Sequence, residues 1–450
     1  MENKGCAVSM KEAKFNSNEL FFSITDQAST ILSGNEVFVR ISGYTKPELI
    51  GRYHNIIRHP DMPKIVFKTF WDFIKADKPI VAYVKNQTKE GGYYWVLAAV
   101  YPMGEHYISI RIKPNAPVFA KAREIYFRLL MSEHKDGVEA SAFLFRELLA
   151  AEGFKSYEEF MSNALLAELI ERKKSLLTST APAREGINSG LNDVLSVLLS
   201  KSNLLKEKYD IWFEKIDVFN AVKVMFEEKG VLLRLLARDI VFLSLNASVA
   251  SYKVSSGGET FGVLANDIRI NAKENDLLIE DIHALTQNLA HTLTEMIFTV
   301  SSICIQIEMF TYFLNETLNN SQEVSQEELY ENLKTLLALI IFYTDKLNGY
   351  QNQMHNLISE SLKKLEQLDK QVMYLGYIQV YGIIEAASNN DETIGFGGIF
   401  SQLKDLIRST ADEIEIMQKK SFHFANENKN LINEAKKIAD YIGDIKAKKQ

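Results

Sequence analysis

At 450 residues with a net charge of −7, 46% hydrophobic and 24% charged, the chain is long enough for two or three domains, and its composition is neither that of a disordered nor of a disulfide-stapled protein. Eight prolines and 22 glycines are few for this length and favour long helices over a loop-rich all-β build, because helix interiors tolerate neither residue. Cys6 and Cys304 are too distant in sequence for a disulfide framework or a CxxC metal site, and mild acidity without a Lys/Arg cluster argues against nonspecific nucleic-acid binding.

The N-terminal MENKGCAVSMKEAK has no apolar core of signal-peptide length. The most apolar uninterrupted stretch, Leu336 to Tyr343, is well short of a membrane span, so a soluble cytoplasmic protein is expected. Residues 18–114 carry short apolar runs, ELFFSIT, PIVAYVKNQ, YYWVLAAVYPM and YISIRIK, which read as strands of an antiparallel sheet, with GGYYW supplying a hairpin turn. Between the first two runs, VFVRISGYTKPELIG and MPKIVFKTFWDFIKA repeat apolar residues at three and four and predict short helices. The module is α+β and of sensor size. Residues 115–180 are helical in pattern with Gly-containing turns, and TSTAPAREGINSG (Thr178 to Gly190) marks a boundary.

Beyond Gly190 no proline occurs. Leu278, Ile282, Leu285, Leu289, Leu293, Met296, Val300, Ile303, Ile307, Phe310 and Leu314 are spaced by threes and fours, the seam of a coiled coil or helical bundle. Polar breaks at VSSGGET, LNNSQEVSQ and SNNDETIG divide the region into four arms, each roughly 60 residues or about 90 Å of helix. The segments beginning at Leu245 and Val380 align without a gap at an offset of 135, placing Phe261-Gly262 on Phe396-Gly397 and Ile268 on Leu403. Two tandem hairpins, 190–320 and 321–450, would form one long antiparallel four-helix bundle.

The string GNEVFVRISGYTKPELIGRYHNIIRHPDMP (Gly34 to Pro63), with the downstream KN…YYWV and ISIRIKP, strongly resembles the PAS domain of bacterial aerotaxis receptors. The resemblance implies noncovalently bound FAD whose redox state reports oxygen or electron-transport status. By motif position it implies flavin contacts for Asn35, Arg58, His59, Asp61 and Trp71, although Ile80 stands where the family often has tryptophan. Chemically, an anionic pyrophosphate and an apolar, electron-accepting ring need a cation, hydrogen-bonding groups and an aromatic wall. Haem is the competing cofactor, with His54, His59 and His106 as candidate axial ligands.

LNASVASYKVSSGGETFGVLANDIR looks like a degenerate hairpin tip of methyl-accepting chemotaxis proteins. Asn246, Phe261, Val263, Ala265 and Arg269 match that pattern, Lys253 and Asp267 are conservative replacements, and Ala250 and Ser256 stand where the family has glutamates. The second copy keeps Glu385-Ala386-Ala387 and Phe396. In that family the tip contacts neighbouring receptors, a coupling protein and a histidine kinase. The partner surface is accordingly expected at Phe242, Asn246, Lys253, Phe261, Val263 and Arg269, with bundle core as the competing reading for the apolar ones. Because those receptors are dimers of hairpins and this chain has two hairpins, a monomeric pseudo-dimer is expected.

The expected function is a non-enzymatic redox or oxygen sensor with a chemoreceptor-like output. The alternative is a cofactor-free PAS adaptor. No P-loop, GxSxG, HExxH, kinase motif set or GGDEF-like string occurs.

Overall fold

The computed structural model describes residues 11–177, 190–252, 258–319, 325–388 and 394–447. The first domain contains β1 (Phe21–Asp26), β2 (Ile31–Gly34), α1 (Glu36–Ser42), α2 (Lys46–Leu49), a 3₁₀ turn (His54–Ile57), α3 (Lys64–Lys75), β3 (Ile80–Gln87), β4 (Tyr93–Met103) and β5 (His106–Ile112). The strands form one antiparallel sheet in the order β2-β1-β5-β4-β3. The four apolar runs are β1, β3, β4 and β5; β2 is an additional edge strand. The first expected helix is two helices, because Gly43 turns the chain at φ +74 and the capping box Thr45/Glu48 restarts it.

Strand periodicity gives the sheet two buried faces. On β1, Phe21, Ser23 and Thr25 alternate with Phe22 and Ile24, and all five are buried. The inner face packs on α1 and α2 through Phe21, Phe38, Ile41, Leu49, Tyr94 and Val96. The outer face meets later helices: α4 (Pro117–Asp136), α5 (Val138–Ala151) and α6 (Tyr157–Leu177) form the connector. Phe119 of α4 packs on Tyr83 and Trp95, and the Tyr157 hydroxyl donates to the Val81 carbonyl at 2.9 Å.

The rest is helical: α7 (Gly190–Glu214), α8 (Ile216–Ser251), α9 (Gly258–Asn319), α10 (Gln326–Ser388) and α11 (Ile394–Ala447). The first expected arm is thus two helices, interrupted at Lys215. The chain divides into two compact units. The first contains the sheet domain, the connector, α7 to Phe213 and Ile297–Lys346 of α9 and α10. In it Phe313 of α9 meets Phe22 edge-on at 5.2 Å and Tyr343 of α10 meets Tyr101 at 5.1 Å.

The second unit comprises Glu214–Met296 and Leu347–Lys437. Within it, four helices converge on one core that includes Ile240 and Leu243 of α8, Phe261, Leu264 and Ile268 of α9, Leu375 and Ile378 of α10, and Phe400 and Leu403 of α11. The pairs Ile240 and Leu375, Leu243 and Ile378, and Ile268 and Leu403 each differ by 135 positions, the offset of the sequence repeat. At Gly382 a Cβ would meet the Phe400 ring at 2.1 Å, whereas the corresponding pair in the first copy is Ala247 and Ala265. α9 is long and apolar enough to cross a membrane by length and composition, but 83% of its most apolar window is buried within the protein.

Candidate functional site

Between the inner face of the sheet and α3 lies a cavity of about 310 Å³, at the lower end of the size of small-molecule sites. Side chains from alternate strand positions line one side: Ser23 and Thr25 of β1, Val84 and Asn86 of β3, Ala98 and Val100 of β4, and Tyr107, Ser109 and Arg111 of β5. Opposite them, α3 contributes Phe67, Phe70, Trp71 and Ile74 on one amphipathic face. A carboxylate from the connector fixes this helix, since Glu133 accepts hydrogen bonds from the N–H groups of Lys64 and Ile65, both at 2.8 Å. Ala28, Tyr53 and Asn55 are exposed lining residues.

The cavity has an apolar wall and a polar end. At that end the Arg111 guanidinium is only 3% exposed, donates to Ser23 Oγ at 3.0 Å and lies 2.6 Å from His54 Nε2. Among the described residues no carboxylate is paired with it, and burial pulls its pKa down to about 10. A buried cation without a counter-ion costs several kcal/mol. Burial, and secondarily the Arg111 charge, hold His54 well below the ordinary histidine value, so its ring is neutral and accepts from Arg111. His54 also stacks on Phe38 at 6.1 Å.

Arg111 Nη1 and Ser109 Oγ are buried without hydrogen-bond partners among the described residues, whereas the Asn86 amide lies against the Tyr94 hydroxyl. Native interiors rarely leave such groups unpaired, and two on one cavity wall suit a ligand with acceptors on its edge. A flat, largely apolar heteroaromatic ring with polar edge atoms fits this arrangement of aromatic wall and donors.

Of the residues singled out from the sequence, Arg58 and Trp71 line the cavity, and the Arg58 guanidinium lies over the Phe67 ring at 3.7 Å. Burial lowers the pKa of Arg58. Asn35, His59 and Asp61 are not among the lining residues. Asn35 hydrogen-bonds the backbone of Leu20 and Phe22, His59 accepts from the Asp61 N–H, and Asp61 pairs with Lys85 at 2.5 Å. Among the haem candidates, His106 is exposed and only His54 lines the cavity, where its Nε2 is occupied by Arg111. Arg111, Ser109 and Asn86 were not singled out. Their signal was polar residues at inward positions of β3 and β5, which reads as an exposed strand face when the covering helix is unknown.

On the partner surface expected in the second unit, Phe242 (55%) and Val263 (61%) are exposed, as are Asn246 and Arg269, while Lys253 lies outside the described residues. Phe261 is fully buried and belongs to the bundle core, because the heptad-like register points it inward with Leu264 and Ile268. Leu245 and Val249 of α8 and Tyr377, Tyr381 and Ile384 of α10 are further exposed apolar residues.

The family described as PAS fold matches residues 31–111. The N-terminal module is a PAS domain. Over 109 residues the chain is 41% identical to the aerotaxis receptor of Escherichia coli (strain K12), covering 23% of this chain and 22% of that protein. Over 95 residues it is 25% identical to the nitrogen fixation regulatory protein of Klebsiella oxytoca, covering 20% of this chain and 19% of that one. The chain therefore spans about a fifth of the length of these curated relatives. Among solved structures, the LOV domain of a blue-light activated histidine kinase from Erythrobacter litoralis is 14% identical with a TM-score of 0.20, covering 21% of this chain and 94% of that chain. The light-state Aureochrome1 LOV domain is 20% identical with a TM-score of 0.20, covering 25% of this chain and 89% of that chain.

Proposed function

We propose that the protein is a cytoplasmic, non-enzymatic signalling sensor whose PAS cavity holds a flavin, FAD by resemblance, and whose helices carry a chemoreceptor-like output. The observation that carries the flavin reading is the polar end of the cavity: a buried Arg111 with no counter-ion among the described residues, flanked by the unpartnered Ser109 hydroxyl and facing an aromatic wall. A flavin supplies reversible electron uptake at its ring. Trp71, Phe67, Phe70 and Val84 would exclude water from that ring, and Asn86, Ser109 and Arg111 would hold its polar edge. His54 would orient the guanidinium. Arg58 supplies a second cation for an anionic tail.

Kinship over the PAS region with an aerotaxis receptor supports a signalling role and chemotaxis proteins as partner class, namely a coupling protein, a histidine kinase or a chemoreceptor. Convergence of four helices of one chain on a single core supports the pseudo-dimer. Phe242, Asn246, Val263 and Arg269, with Leu245 and Val249 beside them, are its partner surface.

The absorption spectrum of the purified full-length protein tests the cofactor. Flavin bands, with FAD released on denaturation, are expected. A Soret band would replace flavin by haem, and colourless protein that takes up no FAD would leave the adaptor reading.

A further inference from the structure

Asn35 precedes α1 with extended backbone (φ −79°, ψ 174°), yet its side chain does not cap that helix. It is committed elsewhere: Oδ1 accepts from the Phe22 N–H at 3.1 Å, and Nδ2 donates to the Leu20 carbonyl at 3.1 Å and to Glu316 Oε1 at 3.2 Å. The start of α1 is met from outside the domain. The Glu316 carboxyl of α9 lies beside it, in the same surface recess as Glu36 and Val37, and the nearby backbone of these two residues works to lower its pKa. A helix start is left with orphan donors and favours a carboxyl placed beside it, here one from another helix.

The surroundings make this a junction. Phe313, one turn before Glu316, packs on Phe22, and Glu328 of α10 pairs with Lys46 and accepts from Ser33 of β2. Phe22 lies between Ser23, which lines the cavity and accepts from Arg111, and the outer face. Strand alternation thus places ligand contact and helix contact on adjacent residues of β1, and the Phe22 amide is held by the same Asn35 that binds Glu316.

We propose that Glu316 is a latch, through which docking of α9 on the PAS sheet depends on the conformation of β1 and Asn35 and through which the cavity communicates with α9 directly rather than by the connector. Burial pushes the Glu316 carboxyl up to about 7 against the opposing effects of the Asn35 hydrogen bond and the nearby backbone. The titratable and charged groups around it are Glu36 and Arg40 of α1, Glu19 before β1, which pairs with Arg40, and Tyr312 on its own helix. The latched state holds the proton more tightly than a released state in which the carboxyl has its ordinary value near 4.5. Latching is therefore strongest below that value, weakens by at most about tenfold per pH unit as pH rises to about 7, and is level above it.

Hydrogen exchange of the full-length protein tests the latch, following amides of residues 35–42 and 313–319 between pH 4.5 and 8.5 after correction for intrinsic rates. Wild-type protection falls through the window. Glu316→Gln, which keeps the shape and an oxygen to accept from Asn35 but cannot ionise, stays protected throughout, and Glu316→Ala loses protection at every pH. A Glu316→Gln profile that tracks the wild type, or a Glu316→Ala variant as protected as wild type, overturns the latch. Coupling to the cavity rests on the reading of that cavity as the sensory site. FAD that binds, seen by absorbance, is expected to change protection of residues 35–42 in the wild type. Binding without change overturns the coupling, whereas absence of binding counts against the flavin reading and leaves the pH result to decide the latch.

Discussion

Three carboxylates from helices outside the sheet domain accept hydrogen bonds at or next to it. Glu133 caps α3, Glu316 meets the start of α1, and Glu168 accepts from the N–H groups of Asn115 and Ala116 at 2.6 and 3.0 Å and from the Tyr83 hydroxyl at 2.9 Å. Burial raises the pKa of Glu168, so it is a costly group retained for the donors it satisfies. Glu168→Ala strands those donors and should destabilise the first unit by about 2–3 kcal/mol, read by thermal unfolding. Arg111 has the opposite sign. Arg111→Met removes a lone buried cation, so the ligand-free protein should be unchanged or up to about 2 kcal/mol more stable by denaturant titration, while ligand retention falls. A strongly destabilised ligand-free Arg111→Met would mean that the guanidinium serves the fold.

At the scale of elements, the strands and most helices were legible because their periodicities are clean: PIVAYVKNQ and YYWVLAAVYPM are β3 and β4. β2 was not, since ILSG is too short to show alternation and is held by pairing with β1. Nor was the interruption at Lys215, in a stretch without glycine or proline. In the candidate site, Arg58 and Trp71 were legible through a family motif. Arg111 was hidden because HYISIRI alternates like a half-exposed strand although both its faces are covered. Two glycines of α10 separate packing from propensity. Gly382→Ala forces the Phe400 ring away and should cost about 1–3 kcal/mol, whereas Gly349→Ala meets nothing within 4 Å and should gain about 0.5–1 kcal/mol in chemical denaturation. Equal effects at the two sites would contradict the packing of α10 on α11.

On the scale of the molecule, the compact units do not follow the two sequence hairpins. The first gathers the PAS domain, the connector and the Ile297–Lys346 segments of α9 and α10, and the second gathers the four helices of the repeated core. A PAS domain in the same unit as part of α9 sets β1 directly against that helix, through Phe22 and Phe313, so the proposed latch would not need the connector. One chain supplying all four helices should sediment as a monomer at full length, and a dimer that unfolds on dilution would contradict the pseudo-dimer. The proposed signalling role depends on the occupant of the cavity. Calorimetric titration of FAD into flavin-depleted, full-length protein, repeated with Arg111→Met, tests it most directly: one FAD per chain with the wild type and at least tenfold weaker binding with the variant is the predicted result. Folded wild-type protein that binds no FAD, or an Arg111→Met variant that binds it equally well, would contradict it.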